Sequence, residues 1–153
     1  MMKSVRVAIA ADHAGFEFKN ELGKHIREVG HEVIDLGAHV FDPQDDYPDF
    51  AALAARAVSD ASVERAVLIC GSGVGASIAA NKVKGARAGL CHDTYSAHQG
   101  VEHDNMNILV LGSRTIGPAL AEDLVKTFLG ATFSGDARHV RRLEKVKVLD
   151  ERC

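Results

Sequence analysis

Arg65-Ala66-Val67-Leu68-Ile69-Cys70, followed at once by Gly71-Ser72-Gly73-Val74-Gly75, is the stretch on which the fold turns. An unbroken apolar run of this length predicts a strand buried on both faces, as in a parallel sheet. The glycines at alternate positions let the backbone bend and come close to a ligand or a neighbouring element. A helix predicted from Ala76 to Lys82 then begins directly beyond the carboxyl end of the strand.

The same alternation extends in both directions. Upstream, Arg6–Ala11 reads as a buried strand, and a helix follows with Phe18, Leu22, Ile26 and Val29 on one face. Gly30 stands where a helix-ending left-handed residue is expected, before a second strand at Glu32–Asp35. Residues Gly37 to Pro48 are polar, Asp-rich and carry two prolines, which predicts a loop; a helix of small residues runs from Phe50 to Ser59. Downstream come a strand at Ala86–Cys91, a helix at Tyr95–His103 and a strand at Met106–Leu111. Pro118 is suited to the first turn of a helix whose apolar face is Leu120, Leu124, Val125 and Phe128. The order βαβαβαβαβα predicts an α/β fold: a single-layer, doubly wound, parallel five-stranded sheet in a Rossmann-like α/β/α sandwich. Residues 1–153 are expected to form one domain, with 136–153 a C-terminal helix suited to pack on a partner subunit.

Composition narrows the functional classes. With 153 residues, 46% hydrophobic and 25% charged, the chain can bury a core without disulfides, and disorder is excluded. Eighteen Lys+Arg against 21 Asp+Glu leave no overall basic footprint, so a nucleic-acid partner is not expected. The charge is uneven: residues 136–153 hold six Lys+Arg against four Asp+Glu, and the preceding 135 hold 12 against 17. No apolar run approaches a membrane span and Met1-Met2-Lys3-Ser4 opens no signal-peptide stretch. Three cysteines, odd in number and far apart, fit a reducing compartment, and a cytoplasmic location is expected.

In open α/β sheets, ligands bind beyond the carboxyl ends of the strands. Those ends are followed here by Asp12 and His13, by Cys70 and its glycine loop, by His92 and Asp93, and by Ser113 and Arg114. The glycine loop, opening a helix, could hold a phosphate or an oxyanion that develops during reaction. No Gly-Lys-Ser/Thr closes it, so it is not a P-loop. Gly71-x-Gly73-x-x-Ala76 fits a loose dinucleotide fingerprint, with Asp93 as the ribose-binding acid, although it follows the third strand and not the first. Glycines that merely permit tight packing are the simpler alternative. Cys70, usually an inert residue at a strand end, here abuts a helix N-terminus, a setting that favours thiolate. Cys91 and Cys153 lack such a setting.

Among the eight histidines, His13 is suited to carry a proton or bind an anion. His103 ends a helix at the opposite rim, next to Asp104, unless that helix packs on a partner. His25, His31 and His39 read as solvated. Zinc on His92, His98 and His103 is disfavoured, since the spacings of six and five share no helix face. Arg138 and Arg142, four apart, share a helix face and suit a phosphate or carboxylate, with His139 and Arg141 adding cationic character and Leu143 and Val146 the apolar side.

Asp12-His13-Ala14-Gly15-Phe16, Asp46-Tyr47-Pro48, Cys70 to Gly75 followed by Ser77-Ile78-Ala79-Ala80-Asn81-Lys82, Gly112-Ser113-Arg114 and Arg138-His139-x-x-Arg142 together resemble the type B ribose-5-phosphate isomerases, which are grouped with the galactose-6-phosphate isomerase subunits. The resemblance spans nearly the whole chain in order. It implies a metal-free, cofactor-free aldose–ketose isomerase of a sugar phosphate, built as a homodimer or a tetramer with active sites between subunits. It gives Cys70 the role of the base moving a proton between C1 and C2, and His103 that of opening the sugar ring. Ser72 assists proton traffic between O1 and O2, and Gly71, Gly73, Val74 and Gly75 cradle the enediolate. Asp12 and Tyr47 surround the sugar; His13, Arg138 and Arg142 clamp the phosphate, the arginines reaching in from the partner; and Arg114 is a further substrate ligand. Asp104 stands where the family commonly has Asn, and the segment Ala38–Asp45 matches no known pattern. Erythrulose 4-phosphate, allose 6-phosphate and galactose 6-phosphate therefore remain alternatives to ribose 5-phosphate. A nucleotide-binding module using Gly71–Ala76 is the alternative from another class, and a catalytically silent paralogue is a further one.

Overall fold

The computed structural model describes residues 3–151, so Cys153 lies outside the described residues. Five parallel strands, β1 (Arg6–Ala11), β2 (Glu32–Asp35), β3 (Arg65–Cys70), β4 (Ala88–Leu90) and β5 (Ile108–Gly112), form one sheet in the order β2-β1-β3-β5-β4. The helices are α1 (Phe16–Glu28), α2 (Tyr47–Ser59), α3 (Val74–Ala80), α4 (Thr94–Asp104), α5 (Pro118–Gly130) and α6 (Ala137–Asp150). The expected α/β architecture is observed. β5 lies inside the sheet and β4 at its edge, which follows from their composition. Every residue of β5 is buried, as a strand covered on both faces requires, whereas β4 has three residues and ends on half-exposed Leu90.

Period-two alternation divides the core between the two faces of the sheet. Val7, Ile9, Val67, Ile69, Leu109 and Leu111 meet Leu22 and Ile26 of α1, Val101 of α4, and Leu124 and Phe128 of α5. On the other face Ala8, Ala10, Leu68, Cys70, Ile108 and Val110 meet Ala51, Ala54 and Ala55 of α2 and Ala76 and Ala80 of α3. The small side chains of α2 and α3 let both helices lie close to the sheet and to each other, and so bring the start of α2 against the glycine loop. Lys19, on α1, is 1% exposed and donates to both carboxylate oxygens of Asp35 at 2.8 Å. α6 packs on α4, with its buried His139 against His103, and also buries Leu143, while Val140, Val146, Val148 and Leu149 remain exposed.

Several boundaries differ from the sequence reading, with α3 starting two residues before Ala76 and β5 two residues after Met106. α2 begins at Tyr47, three residues before Phe50, because Pro48 sits in the helix's first turn, where its missing N–H costs nothing. β4 keeps only three of the six expected residues, since Ala86–Arg87 and Cys91 fall beyond the part paired with β5.

Candidate active site

A cleft of about 370 Å³ opens where the carboxyl ends of β1, β3 and β5 meet. Asp12, His13, Tyr47, Cys70, Gly71, Ser72, Gly75 and Arg114 all line it, together with Ala14 and Thr115. Cys70, 6% exposed, lies at the buried end of β3, and its Sγ accepts the Gly73 N–H at 3.2 Å. That bond exists because Gly73 takes a left-handed conformation, φ +85°, which turns the chain from strand to α3. Ser72 is exposed, and its Oγ accepts the Val74 N–H at 3.2 Å. Gly73, buried, and Val74, 51% exposed, shape the turn without lining the cleft.

The turn after β5 is stitched to the same loop. Ser113 N–H donates to the Cys70 carbonyl and Arg114 N–H to the Gly71 carbonyl, both at 2.9 Å, which sets the Arg114 side chain beside Gly71. Tyr47 lies on Gly75 so closely that a Cβ there would fall 2.6 Å from the ring's Cζ. Asp12, 6% exposed, caps the short turn His13–Gly15, accepting the Ala14 and Gly15 N–H groups at 3.1 and 3.3 Å. His13 is held by Asp45: Oδ1 of Asp45 lies 3.0 Å from the His13 backbone nitrogen and 2.6 Å from Nδ1. The hydrogen bond to Asp45 raises the His13 pKa; burial works against it, the Asp12 and Asp45 charges add to it, and Arg114 opposes it.

The remaining predicted residues lie elsewhere in the protomer. His103 closes α4, which leads into the amino end of β5, at the rim opposite Cys70. Its ring stacks on that of His139, with centroids 4.0 Å apart, and its Nε2 is 3.4 Å from Glu102. Arg138 and Arg142 stand exposed on α6 next to this pair, and exposed Asp104 borders a groove of about 530 Å³ along β4. The chain thus carries two partial clusters, one at each rim of its sheet.

Several expectations are corrected. His31 is not solvated: it is 6% exposed, its Nδ1 accepts the Val5 N–H at 3.0 Å, and burial lowers its pKa. His139 is not an exposed cation beside the arginines: it is 2% exposed, and burial, then His103 and Arg138, lower its pKa. Asp93 caps α4 through the Ser96 N–H at 2.7 Å, so the acid that the dinucleotide reading requires is engaged. His92 accepts the Gly112 N–H at 3.1 Å, His98 faces Glu102 and His103 stacks on His139, so these three imidazoles have separate partners. Burial, and then Asp93, raise the Cys91 thiol, consistent with an inert packing role.

Asp45 is the site residue that sequence reasoning missed. It sits in the segment 38–45 that matched no pattern, and one acid among Asp42, Asp45 and Asp46 carries no signal of its own. Among the described residues, polar atoms of Asp12, His13 and Asp45 lie within 4.8 Å of one another, and His13 and Asp45 are hydrogen-bonded to each other. No helix of the described residues is long and apolar enough to cross a membrane.

The sequence model of the Ribose/Galactose Isomerase family matches residues 7–146. Ribose-5-phosphate isomerase B of Escherichia coli is 42% identical over 96% of this chain and 97% of its own. D-erythrulose-4-phosphate isomerase of Pectobacterium atrosepticum is 40% identical over 84% and 85%. Among solved structures, ribose-5-phosphate isomerase B from Mycoplasma genitalium with bound ribulose-5-phosphate superimposes with a TM-score of 0.91, at 39% identity over the whole of both chains. Sequence and fold agree: this chain belongs to the ribose/galactose isomerase family.

Proposed function

We propose that the protein interconverts ribose 5-phosphate and ribulose 5-phosphate through an enediolate. The observation that carries this reading is the cleft itself: a buried sulfur beside a helix-opening glycine turn at one end, and His13 and Arg114 on its wall. A C–H next to a carbonyl is a weak acid, so a base and preorganised N–H donors must act together on it. Cys70 takes the proton from one carbon and returns it to the other. Gly71 and Gly75, which line the cleft, offer their N–H groups to the enediolate oxygens, while the Val74 N–H is held by Ser72 Oγ and Ser72 moves protons between those oxygens. Gly73 N–H, bonded to Cys70 Sγ, holds the sulfur in place, and this bond strengthens when the sulfur is charged. Asp12 and Tyr47 orient the sugar hydroxyls.

His103, Arg138 and Arg142 enter this scheme from a second copy of the chain. Their position at the opposite rim, and the uncovered Val146, Val148 and Leu149 of α6, support a homodimer in which each cleft is completed by its partner. The partner's His103 then opens the sugar ring and its arginines hold the phosphate with His13 and Arg114. Binding energy from the remote phosphate orients the reacting carbons.

A second reading, isomerisation of a four- or six-carbon sugar phosphate, stands beside it because Asp104 departs from the family's usual residue. An ionised carboxylate cannot donate a hydrogen bond where the family's Asn can, and the erythrulose-phosphate relative is 40% identical. Measuring kcat/KM for four-, five- and six-carbon sugar phosphates without added metal decides between the two. The first reading expects the highest value for the five-carbon pair. A higher value for another sugar replaces it, and absence of all turnover overturns both.

A further inference from the structure

We propose that Asp45 is a positioning residue for His13: its carboxylate holds Nδ1–H, fixes the ring plane, and leaves Nε2 as the nitrogen that meets the substrate's phosphate. The inference rests on the reading of His13 as a phosphate ligand and gives that residue a partner from the segment no motif explained.

Three features of the segment 38–46 support it. The segment is anchored to β1 by paired backbone bonds, Ala11 N–H to the Gly37 carbonyl at 2.8 Å and Ala38 N–H to the Ala11 carbonyl at 2.7 Å. A turn closed by Asp45 N–H on the Asp42 carbonyl, 3.1 Å, then carries Asp45 inward to a half-buried position, where its Oδ1 takes two hydrogens from one residue, the backbone N–H and the ring Nδ1–H of His13. Phe41, from the same segment, meets the His13 ring edge to face, with centroids 6.4 Å apart. The ring is therefore held at one nitrogen and one edge by a single loop, and it borders the cleft.

The consequence is chemical. With the Nδ1 hydrogen committed to Asp45, a neutral His13 presents a lone pair at Nε2, which repels a phosphate oxygen. The imidazolium presents a hydrogen there and binds it. Phosphate binding through His13 thus requires the charged ring, and the groups around that ring set its charge. Asp45 faces it from the loop and Asp12 from the end of β1, both favouring the proton; Arg114 faces it from the turn after β5 and opposes it. Cys70 and Tyr47 border the same cleft. Binding by His13 is present at low pH and is lost as pH rises through the raised pKa of the ring.

The test is an NMR titration of the His13 imidazole in the whole protein, assigned with H13Q and performed on wild type and D45N, with inorganic phosphate as the probe. The expected results are a wild-type His13 that titrates above an ordinary histidine, a lower value in D45N, and phosphate binding in D45N weakened about ten-fold at neutral pH. In turnover with the best sugar phosphate, D45N is expected to raise KM more than it lowers kcat, since Arg114 still holds the phosphate. A wild-type His13 that titrates at or below the ordinary value overturns the proposal, whether or not D45N folds. So does a D45N whose His13 titration and phosphate binding match wild type. A protein that shows the His13 titration and phosphate effect but isomerises no sugar phosphate instead removes the functional reading and leaves the Asp45–His13 pair standing.

Discussion

Gly73→Ala is the sharpest test of how the glycine turn builds the site. Gly73 has φ +85°, and a Cβ built on it would lie 2.6 Å from Leu90 Cδ1 and 3.2 Å from the backbone carbon and oxygen of Leu111. The left-handed conformation costs an L-residue roughly 1–2 kcal/mol. Leu90 ends an edge strand and can rotate away, but Leu111 lies in the fully buried β5 and cannot, which adds overpacking of roughly 1–3 kcal/mol. A central value of about 3 kcal/mol corresponds to a Tm lowered by roughly 6–12 °C for a chain of this size. The turn also aims the Gly73 N–H at Cys70, so its distortion is expected to reduce kcat about 10²-fold or more, the scale seen when one preorganised donor is lost. Gly71→Ala is the control for stability. Its Cβ would meet nothing closer than Arg114 Nη1 at 3.6 Å and its φ is not positive, so its cost should stay below about 1 kcal/mol. Differential scanning calorimetry and initial rates on both variants check the reasoning. A G73A protein melting within about 2 °C of wild type, or a G71A protein destabilised as much, refutes it.

Further outcomes are expected. Asp35→Ala strands the ammonium of Lys19 in the core and should destabilise the protein by roughly 2–3 kcal/mol in a denaturant titration, less than for a fully buried pair because Asp35 is partly exposed; a loss near zero would contradict the burial of Lys19. Because burial lowers the His31 pKa, the unfolded chain takes up a proton near its ordinary value of about 6.5 while the folded chain resists. Stability should therefore fall as pH drops from 7 to 5, and H31Q, which keeps an acceptor for the Val5 N–H but cannot titrate, should flatten that fall; an equal slope in both proteins contradicts it. If each cleft is completed by a second copy, unfolding and refolding inactive C70A and H103A together should restore roughly a quarter of wild-type activity, because a mixed dimer contains one intact site. No recovery would place both residues in one protomer's site.

Much of the architecture was legible because buried parallel strands announce themselves as apolar runs, and Arg65–Cys70 with its glycines located the centre of the rim. Asp12, His13 and Arg114 were readable as residues that follow such runs. What was not legible depended on packing between distant segments. His31 looks solvated between Gly30 and Glu32, yet it is covered and bonded to Val5. His139 stands among arginines in sequence but faces inward on α6. Asp45 lies 32 residues from His13, and only the path of the loop brings them together. His103 shows the opposite limit. The resemblance assigns it ring opening, while the fold of a single chain sends it to the far rim.

The most direct measurement of the central claim is solvent deuterium incorporation, followed by NMR during isomerisation of ribose 5-phosphate in D₂O. Proton transfer through an enediolate by Cys70 predicts deuterium at the carbon that receives the proton, at C1 of ribulose 5-phosphate and C2 of ribose 5-phosphate, and loss of both exchange and turnover in C70A. Turnover by C70A at near wild-type rate, or deuterium incorporation by C70A as fast as by wild type, would contradict it.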